Sequence, residues 1–331
     1  MKQAFFFFCT VLVVGSNLSA QTLQFLDSNK NTSIRGMSVV NDKIVWLSGS
    51  KGTVARSIDG GKTFEWMTVA GYEKSDFRDI EAFDAKTVIL MAIDTPAIIL
   101  KTIDAGKTWK KVFEDKRTGM FLDAMEFWNE MSGIVVGDPM EGKLFIARTF
   151  DGGETWRGLP DAAYPTTKKG EAMFASSGTN VVKLNKQEAV FVTGGKSSRM
   201  FIRDLKIDLP ILQGEDFTGA NSIAAFKNKI IVVGGDFSKD TLRSKNCVLT
   251  LNKGKTFLLP TTPPFGYRSC VVFLSKEKLI TCGTSGVDVS TDGGINWRTI
   301  STESFHVVQK AKKGNKVFLS GSKGRVAMLV W

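Results

Sequence analysis

The octapeptide Ser57-Ile58-Asp59-Gly60-Gly61-Lys62-Thr63-Phe64 decides the fold, because close copies of it recur along the chain. The shared form is Ser/Thr-x-Asp-x-Gly-x-Thr-aromatic, and one copy has Asn in place of Asp. Self-similarity of this kind is the signature of a repeat architecture. The residues at the third position of the five copies are Asp59, Asp104, Asp151, Asn252 and Asp292.

The pattern suits a tight turn between two antiparallel strands. An Asp side chain accepts N–H bonds within its own turn, and glycine supplies the positive φ that other residues adopt only with strain. The closing aromatic then packs between neighbouring repeats. The motif is the Asp-box of the BNR repeat, and we interpret its acidic residues as structural rather than as catalysts or ligands.

A second, independent repeat indicates the number of blades. Short apolar runs ending in a small residue are typical of strands buried on both faces. They occur at 44–49, 88–92, 134–137, 190–194, 230–234, 279–283 and 317–321. Repeats of propellers commonly span about 40–50 residues. The sequence therefore predicts an all-β fold, a seven-bladed β-propeller of four-stranded antiparallel blades that forms a single domain over residues 21–331.

The two ends of this domain predict how the ring closes. Residues 326–331 align with the third strand of a blade, and residues 22–26 resemble a fourth strand. We therefore expect the N-terminal strand to complete the seventh blade, which removes two exposed sheet edges.

Residues 1–20 differ from the repeats. Lys2 precedes the apolar run 4–14, and the small residue Ala20 stands before Gln21. This pattern predicts a secretory signal peptide, and hence an exported protein that is periplasmic or secreted. No other segment has the roughly 18 apolar residues of a membrane span.

Charge and cysteine content restrict the partners and the cross-links. The formal net charge is +11, and it becomes +10 when Lys2 is removed with the signal peptide. A basic protein attracts anionic partners, and export argues against nucleic acid as one of them. Cys247, Cys270 and Cys282 remain. The last two lie on the arms of one predicted hairpin, where a strained disulfide or, as we prefer, two buried thiols would fit.

The chain resembles exported bacterial propellers related to the photosystem II stability and assembly factor. Besides the Asp-boxes, segments 46–52, 137–139, 170–180 and 265–269 carry this resemblance, whereas 203–206 departs from the box pattern. The resemblance implies a binding or assembly scaffold for a protein or an anionic glycan. Such chains are also described as glycosyl hydrolases or oxidoreductases, but no Gly-x-Gly-x-x-Gly fingerprint supports a nucleotide cofactor, and we expect none.

The innermost strands of a propeller lie side by side, so equivalent positions of different blades should meet at one mouth of the channel. Aligning the starts of these strands places Arg35, Arg78, Leu122, Glu171, Asn221, Arg268 and His306 on one level. Asp79 and Asp123 follow at the next position, and Tyr267 precedes Arg268.

Two interpretations of this ring are open. The three arginines could hold a carboxylate or sulfate by paired hydrogen bonds. Alternatively, they could form internal salt bridges, Arg78 with Asp123 and Arg268 with Glu171, around a water-filled channel.

An enzymatic interpretation is the alternative to a scaffold. Sialidases also place three arginines at the centre of a propeller, with a Tyr and Glu pair and a further acid. Here Tyr267, Glu171 and either Asp79 or Asp123 could take those roles, although the Arg-Ile-Pro sequence of that family is missing. With His306 as the single histidine, a multi-His metal site is excluded. We therefore favour a non-enzymatic protein over a glycoside hydrolase.

Overall fold

The computed structural model describes residues 21–93 and 95–331, so the predicted signal peptide lies outside the described residues. Strand β1 (Thr22–Asp27) precedes the first complete blade. No helix in the described part of the chain is long and apolar enough to cross a membrane.

The first three blades are regular, and each runs from an innermost to an outermost strand in chain order. Blade one contains β2 (Ile34–Val39), β3 (Val45–Gly49), β4 (Thr53–Ser57) and β5 (Glu65–Thr68). Blade two contains β6 (Phe77–Ala82), β7 (Val88–Ala92), β8 (Ala97–Thr102) and β9 (Lys110–Asp115). Blade three contains β10 (Leu122–Phe127), β11 (Gly133–Met140), β12 (Lys143–Thr149) and β13 (Arg157–Gly158).

Blades four and five follow a short 3-10 helix, Asp161–Ala163. Their strands are β14 (Glu171–Ala172), β15 (Val181–Lys183), β16 (Ala189–Val192), β17 (Gly194–Gly195), β18 (Arg199–Ile202), β19 (Leu205–Asp208), β20 (Thr218–Phe226), β21 (Lys229–Asp236) and β22 (Cys247–Thr250). Blade four consists of β15, β16, β18 and β19, while β14 and β17 extend the sheet of blade five.

The irregular blades correct two expectations. The innermost strand of blade four is β15, whereas the sequence predicted a strand beginning at Gly170-Glu171. The outermost strand of blade five is reduced to a single bridge between Leu249 and Leu258.

The last two blades close the ring. Blade six contains β23 (Cys270–Phe273), β24 (Leu279–Gly283), β25 (Gly286–Ser290) and β26 (Arg298–Ser301). Blade seven contains β27 (Val307–Lys310), β28 (Val317–Ser320), β29 (Val326–Val330) and, as its outermost strand, β1. Leu23 of β1 lies opposite Leu329 of β29 in an antiparallel pair. The predicted seven-bladed propeller and its closure by the N-terminal strand are confirmed.

The core lies between adjacent blades. Trp46 of blade one is fully buried and packs with Ile80 and Leu90 of blade two. The innermost strands contact one another in sequence, and β27 contacts β2, so they enclose a central channel. Cys270 and Cys282 lie directly opposite each other as buried free thiols.

The first Asp-box octapeptide forms the turn between β4 and β5. Ser57 Oγ accepts the Gly61 N–H at 2.9 Å, and Asp59 Oδ1 accepts the Thr63 N–H at 3.0 Å. Hydrogen bonds from the Thr63 side chain and backbone lower the pKa of Asp59 to about 2. Gly60 has φ 79°, in the left-handed region that favours glycine.

Candidate functional site

Four β-bulges shape one mouth of the channel. The pairing of the innermost strand with its neighbour shifts by one residue at Arg35, Arg78, Asp123 and Asn221. A bulge leaves its extra residue unpaired and changes the direction of that side chain. Arg35, Arg78 and Asn221 consequently line a cavity of about 480 Å³ at this end of the ring, which we call the mouth.

The mouth brings together five of the nine predicted site residues: Arg35, Arg78, Asn221, Tyr267 and His306. It also contains residues that the sequence alignment missed, namely Phe121, Asp138, Phe174, Phe237 and Ser269. Phe174 lies in the irregular segment before blade four and Phe237 follows β21, and repeat counting gives no position for either of them.

The floor of the mouth is a chain segment, residues 174–180, which we call the plug. Arg35 Nη1 donates to the carbonyl oxygen of Ser176 at 3.2 Å, and Arg78 Nη1 lies 3.4 Å from that of Ala175. Both arginines therefore hold the plug through its backbone carbonyls.

The plug also contacts the other side of the ring. Ser177 Oγ donates to the Ser269 carbonyl of blade six at 2.7 Å, and the hydroxyls of Thr179 and Ser222 lie 2.7 Å apart. The channel is thus not open throughout, contrary to the water-filled channel considered from the sequence. A second cavity of about 400 Å³ lies at the opposite end of the ring.

The two arginines of the mouth differ in how their charges are balanced. Arg78 Nε donates to Asp76 Oδ2 at 2.9 Å, so the predicted Arg78–Asp123 salt bridge is wrong. Arg35 has no ion-pair partner among the described residues. Burial, and then the neighbouring charge of Arg78, lower the pKa of Arg35. A bound anion would raise this pKa again, because it stabilises the charged guanidinium.

Tyr267 and His306 are neutral polar groups beside these arginines. The Tyr267 hydroxyl donates to Asn221 Oδ1 at 2.9 Å. Burial, followed by the charge of Arg35, lowers the pKa of His306 to about 3. His306 Nδ1 lies 3.2 Å from the Ile34 carbonyl, which can only accept, so we place the ring proton on Nδ1.

Burial raises the pKa of three acidic residues near the mouth, Asp79, Asp123 and Asp138. Asp79 lies below the mouth, where Asp79 Oδ2 accepts the Met125 N–H at 2.7 Å, and burial raises its pKa well above the usual range. Burial, and then the nearby Asp138, raise the pKa of Asp123 in the same way. Asp138 lines the mouth itself, and burial raises its pKa to about 6.

Arg268 and Glu171 do not belong to the mouth, which corrects the predicted ring. Arg268 is fully buried, and its Nε donates to Asp288 Oδ2 at 2.6 Å. Glu171 is buried against Arg199, with 2.5 Å between Glu171 Oε2 and Arg199 Nη2. The predicted Arg268–Glu171 salt bridge is therefore wrong.

The error at Arg268 is a one-residue shift in the alignment of blades. A Cβ added at Gly137 would lie 2.3 Å from the Phe121 carbonyl oxygen, and one at Gly283 would lie 2.1 Å from that of Tyr267. Phe121 and Tyr267 are thus equivalent, so Ser269, not Arg268, corresponds to the bulge residue Asp123. Because of the same one-residue shift, and contrary to the prediction from the sequence, Leu122 does not lie on the level of Arg35 and Arg78.

The arrangement expected for sialidase-like chemistry is not formed. Arg268 and Glu171 are engaged elsewhere, and the Tyr267 hydroxyl is bonded to Asn221 rather than to a carboxylate. Within the described residues, no group of three or more His, Cys, Asp or Glu side chains is placed to hold a metal ion.

The fold and the mouth together define the class of this protein. It is a seven-bladed β-propeller whose central channel is closed by the plug, and two arginines, Arg35 and Arg78, lie above the plug. Residues 16–119 match the family model described as Photosynthesis system II assembly factor YCF48. The chain therefore resembles this family, as the sequence predicted. A search of curated proteins found no match.

Solved structures support the same architecture. YCF48 from Cyanidioschyzon merolae is 16% identical with a TM-score of 0.66, over 93% of this chain and 98% of that one. YCF48 bound to D1 peptide is 16% identical with a TM-score of 0.65, over 96% of this chain and 98% of that one. The Pan2 WD40 domain of Neurospora crassa is 13% identical with a TM-score of 0.61, over 89% and 88%. At these identities the likeness concerns the fold.

Proposed function

We propose that this protein is a non-enzymatic scaffold that binds an acidic segment of a partner protein at the mouth. The observation that carries the proposal is the guanidinium of Arg35, which lies beside Arg78 without a carboxylate partner among the described residues. A partly buried, unbalanced guanidinium is stabilised by an acidic group that can accept two parallel hydrogen bonds.

The walls of the mouth favour a peptide. Phe121, Phe174 and Phe237 border the cavity next to the arginines, and Phe237 is 47% exposed. A peptide can place an apolar side chain against these rings and a carboxylate on Arg35. YCF48, a propeller of the same fold, has been solved with a D1 peptide, which supports a peptide as the class of ligand. An anionic glycan is the competing ligand class.

We also propose that the protein acts after export, in the periplasm or outside the cell. This rests on the pattern of residues 1–20. N-terminal sequencing of the protein recovered from cell fractions tests it: a chain that begins near Gln21 in the periplasmic or secreted fraction is expected. An uncleaved chain in the cytoplasm would contradict it.

Fluorescence anisotropy with labelled peptides tests the binding function. We expect a D1 peptide to bind, and also a synthetic peptide that contains Glu and ends in an apolar residue with a free carboxylate. The synthetic peptide with an amidated end and with Gln in place of that Glu should bind at least about tenfold more weakly. Polygalacturonate serves as the glycan competitor. Equal binding of the acidic and neutral peptides, or binding of the glycan alone, would overturn the proposal.

A further inference from the structure

The Asp-box turns share a feature that their role in the fold does not explain. At the second position of the box, four of the five turns carry a large apolar side chain that remains exposed. The exposed fractions are 58% for Ile58, 69% for Ile103, 62% for Phe150 and 52% for Leu251. We propose that these side chains insert into the surface of an anionic lipid bilayer, on which this face of the ring docks.

The four turns lie on the face of the ring opposite the mouth. The innermost strand begins at the mouth, so the third strand of each antiparallel blade ends, at its Asp-box, on the far side. There the Gly60 N–H donates to the Lys43 carbonyl at 2.9 Å, and the Gly152 N–H to that of Met131 at 2.8 Å. Each box is thereby fixed to the turn between the first and second strands of its blade. We call this surface the Asp-box face.

Repeat symmetry makes the Asp-box face suitable for a flat partner. Turns in equivalent positions of a closed ring point in the same direction, so the tips carrying Ile58, Ile103 and Phe150, in adjacent blades, can meet one plane together. Leu251 of blade five projects from the same face across the ring. A bilayer surface is such a plane, and it accepts separate projecting side chains without a pocket for each.

The charges of this face indicate anionic lipid. The turns of blades five and seven, residues 227–229, 250–257 and 310–316, contain eight lysines and no Asp or Glu. Two of these lysines, Lys229 and Lys312, form ion pairs with Glu277 and Glu81. The turns of blades one to three carry charges of both signs, because the exposed Lys43, Lys62 and Lys107 stand near the box residues Asp59, Asp104 and Asp151. Lysines that lie near an anionic membrane are attracted to its negatively charged headgroups. The excess of positive charge in blades five and seven therefore favours anionic over neutral lipid at this face.

Co-sedimentation with vesicles tests the proposal. The chain from Gln21 onward, which contains every described strand, is incubated with vesicles of phosphatidylcholine alone or mixed with phosphatidylglycerol. We expect binding to the mixed vesicles that weakens with salt. The triple variant Ile58→Ser, Ile103→Ser, Phe150→Ser should lose binding by about tenfold or more at an unchanged melting temperature, because three apolar insertions are removed.

A double variant outside the Asp-box turns serves as the control. Leu242→Ser and Leu259→Ser remove apolar side chains that are 38% and 53% exposed and do not lie at the tips of the Asp-box face. This variant should bind vesicles like the parent, and so should Arg35→Ala, because the mouth lies on the opposite face. Loss of vesicle binding and loss of peptide binding can therefore be told apart.

Insertion is measured directly with an environment-sensitive fluorophore. Cys247, Cys270 and Cys282 are buried, so a cysteine introduced by Ile103→Cys or Leu242→Cys can be labelled selectively. A blue shift on mixed vesicles is expected for the label at position 103 and not at 242. Absence of vesicle binding, equal binding by the Ser triple variant, or a label at 103 that stays in water would each overturn the proposal. Binding of the face to a protein but not to vesicles would do the same.

Discussion

Arg35 and Ser176 are joined across the channel, with 3.2 Å between Arg35 Nη1 and the Ser176 carbonyl oxygen, although 141 positions separate them in the chain. This contact ties the first blade to the plug. The plug therefore helps to position the Arg35 guanidinium in the mouth. The shape of the mouth thus depends on a segment that lies outside the regular repeat.

Packing of the plug predicts that Gly178→Ala strongly lowers stability. Gly178 has φ 65°, and a Cβ there would lie 2.4 Å from Asp79 Cγ. We expect the free energy of unfolding in urea to fall by about 2–4 kcal/mol, because the clash and the positive φ both act. Gly119→Ala is the control, since Gly119 also has positive φ, 83°, but nothing lies within 4 Å of the added Cβ. Equal losses in the two variants would contradict the packing described for the plug.

The buried ion pair of Arg268 predicts a structural and not a binding role. Asp288→Ala should lower the free energy of unfolding by about 3–5 kcal/mol, because it leaves a buried guanidinium without its partner. Glu303→Ala removes the partner of Arg325 from a more exposed pair, with side chains 49% and 27% exposed, and should cost at most about 1 kcal/mol. A fall in peptide affinity at unchanged stability in Asp288→Ala would instead indicate that Arg268 contributes to peptide binding.

Asp138 predicts that binding at the mouth depends on pH. Burial raises its pKa to about 6, so it is negative at pH 7.5 and mostly neutral at pH 5.2. Loss of this negative charge from the mouth should strengthen binding of an acidic peptide about fivefold as pH falls, equivalent to ~1 kcal/mol. His306, with a pKa of about 3, stays neutral over this range. Asp138→Asn should bind equally at both values, and an unchanged pH dependence in that variant would rule out Asp138 as its source.

Ring closure predicts that the N-terminal strand stabilises the whole propeller. Deletion of residues 21–27 removes β1 and exposes the edge of β29. We expect the free energy of unfolding to fall by about 2–4 kcal/mol, because apolar contacts and strand pairing are lost together. A synthetic peptide of residues 21–27 added in trans should restore part of the loss. A deletion variant that melts like the parent would argue against closure by this strand.

The repeat could be predicted from the sequence because its determinants are local. The octapeptide at Ser57–Phe64 and the apolar runs each specify a turn or strand within a few residues. The residues that line the mouth could not be predicted in the same way, because each β-bulge inserts one residue that the pattern of apolar residues does not reveal. Gly49, Gly137 and Gly283 end the apolar runs of three second strands and occupy one repeat position, so aligning them would have placed Arg35, Asp123 and Ser269 on one level. The plug could not be predicted, because its contacts are made with distant blades.

The most direct test of the proposed function is the dissociation constant of an acidic peptide for Arg35→Ala, measured with the melting temperature of the same protein. We predict that affinity falls at least about tenfold, because a charged hydrogen bond is lost, while the melting temperature changes little. Arg157→Ala, which removes an exposed arginine from the outermost strand of blade three, should leave the affinity unchanged. Unchanged peptide affinity in Arg35→Ala would contradict the assignment of the mouth as the binding site.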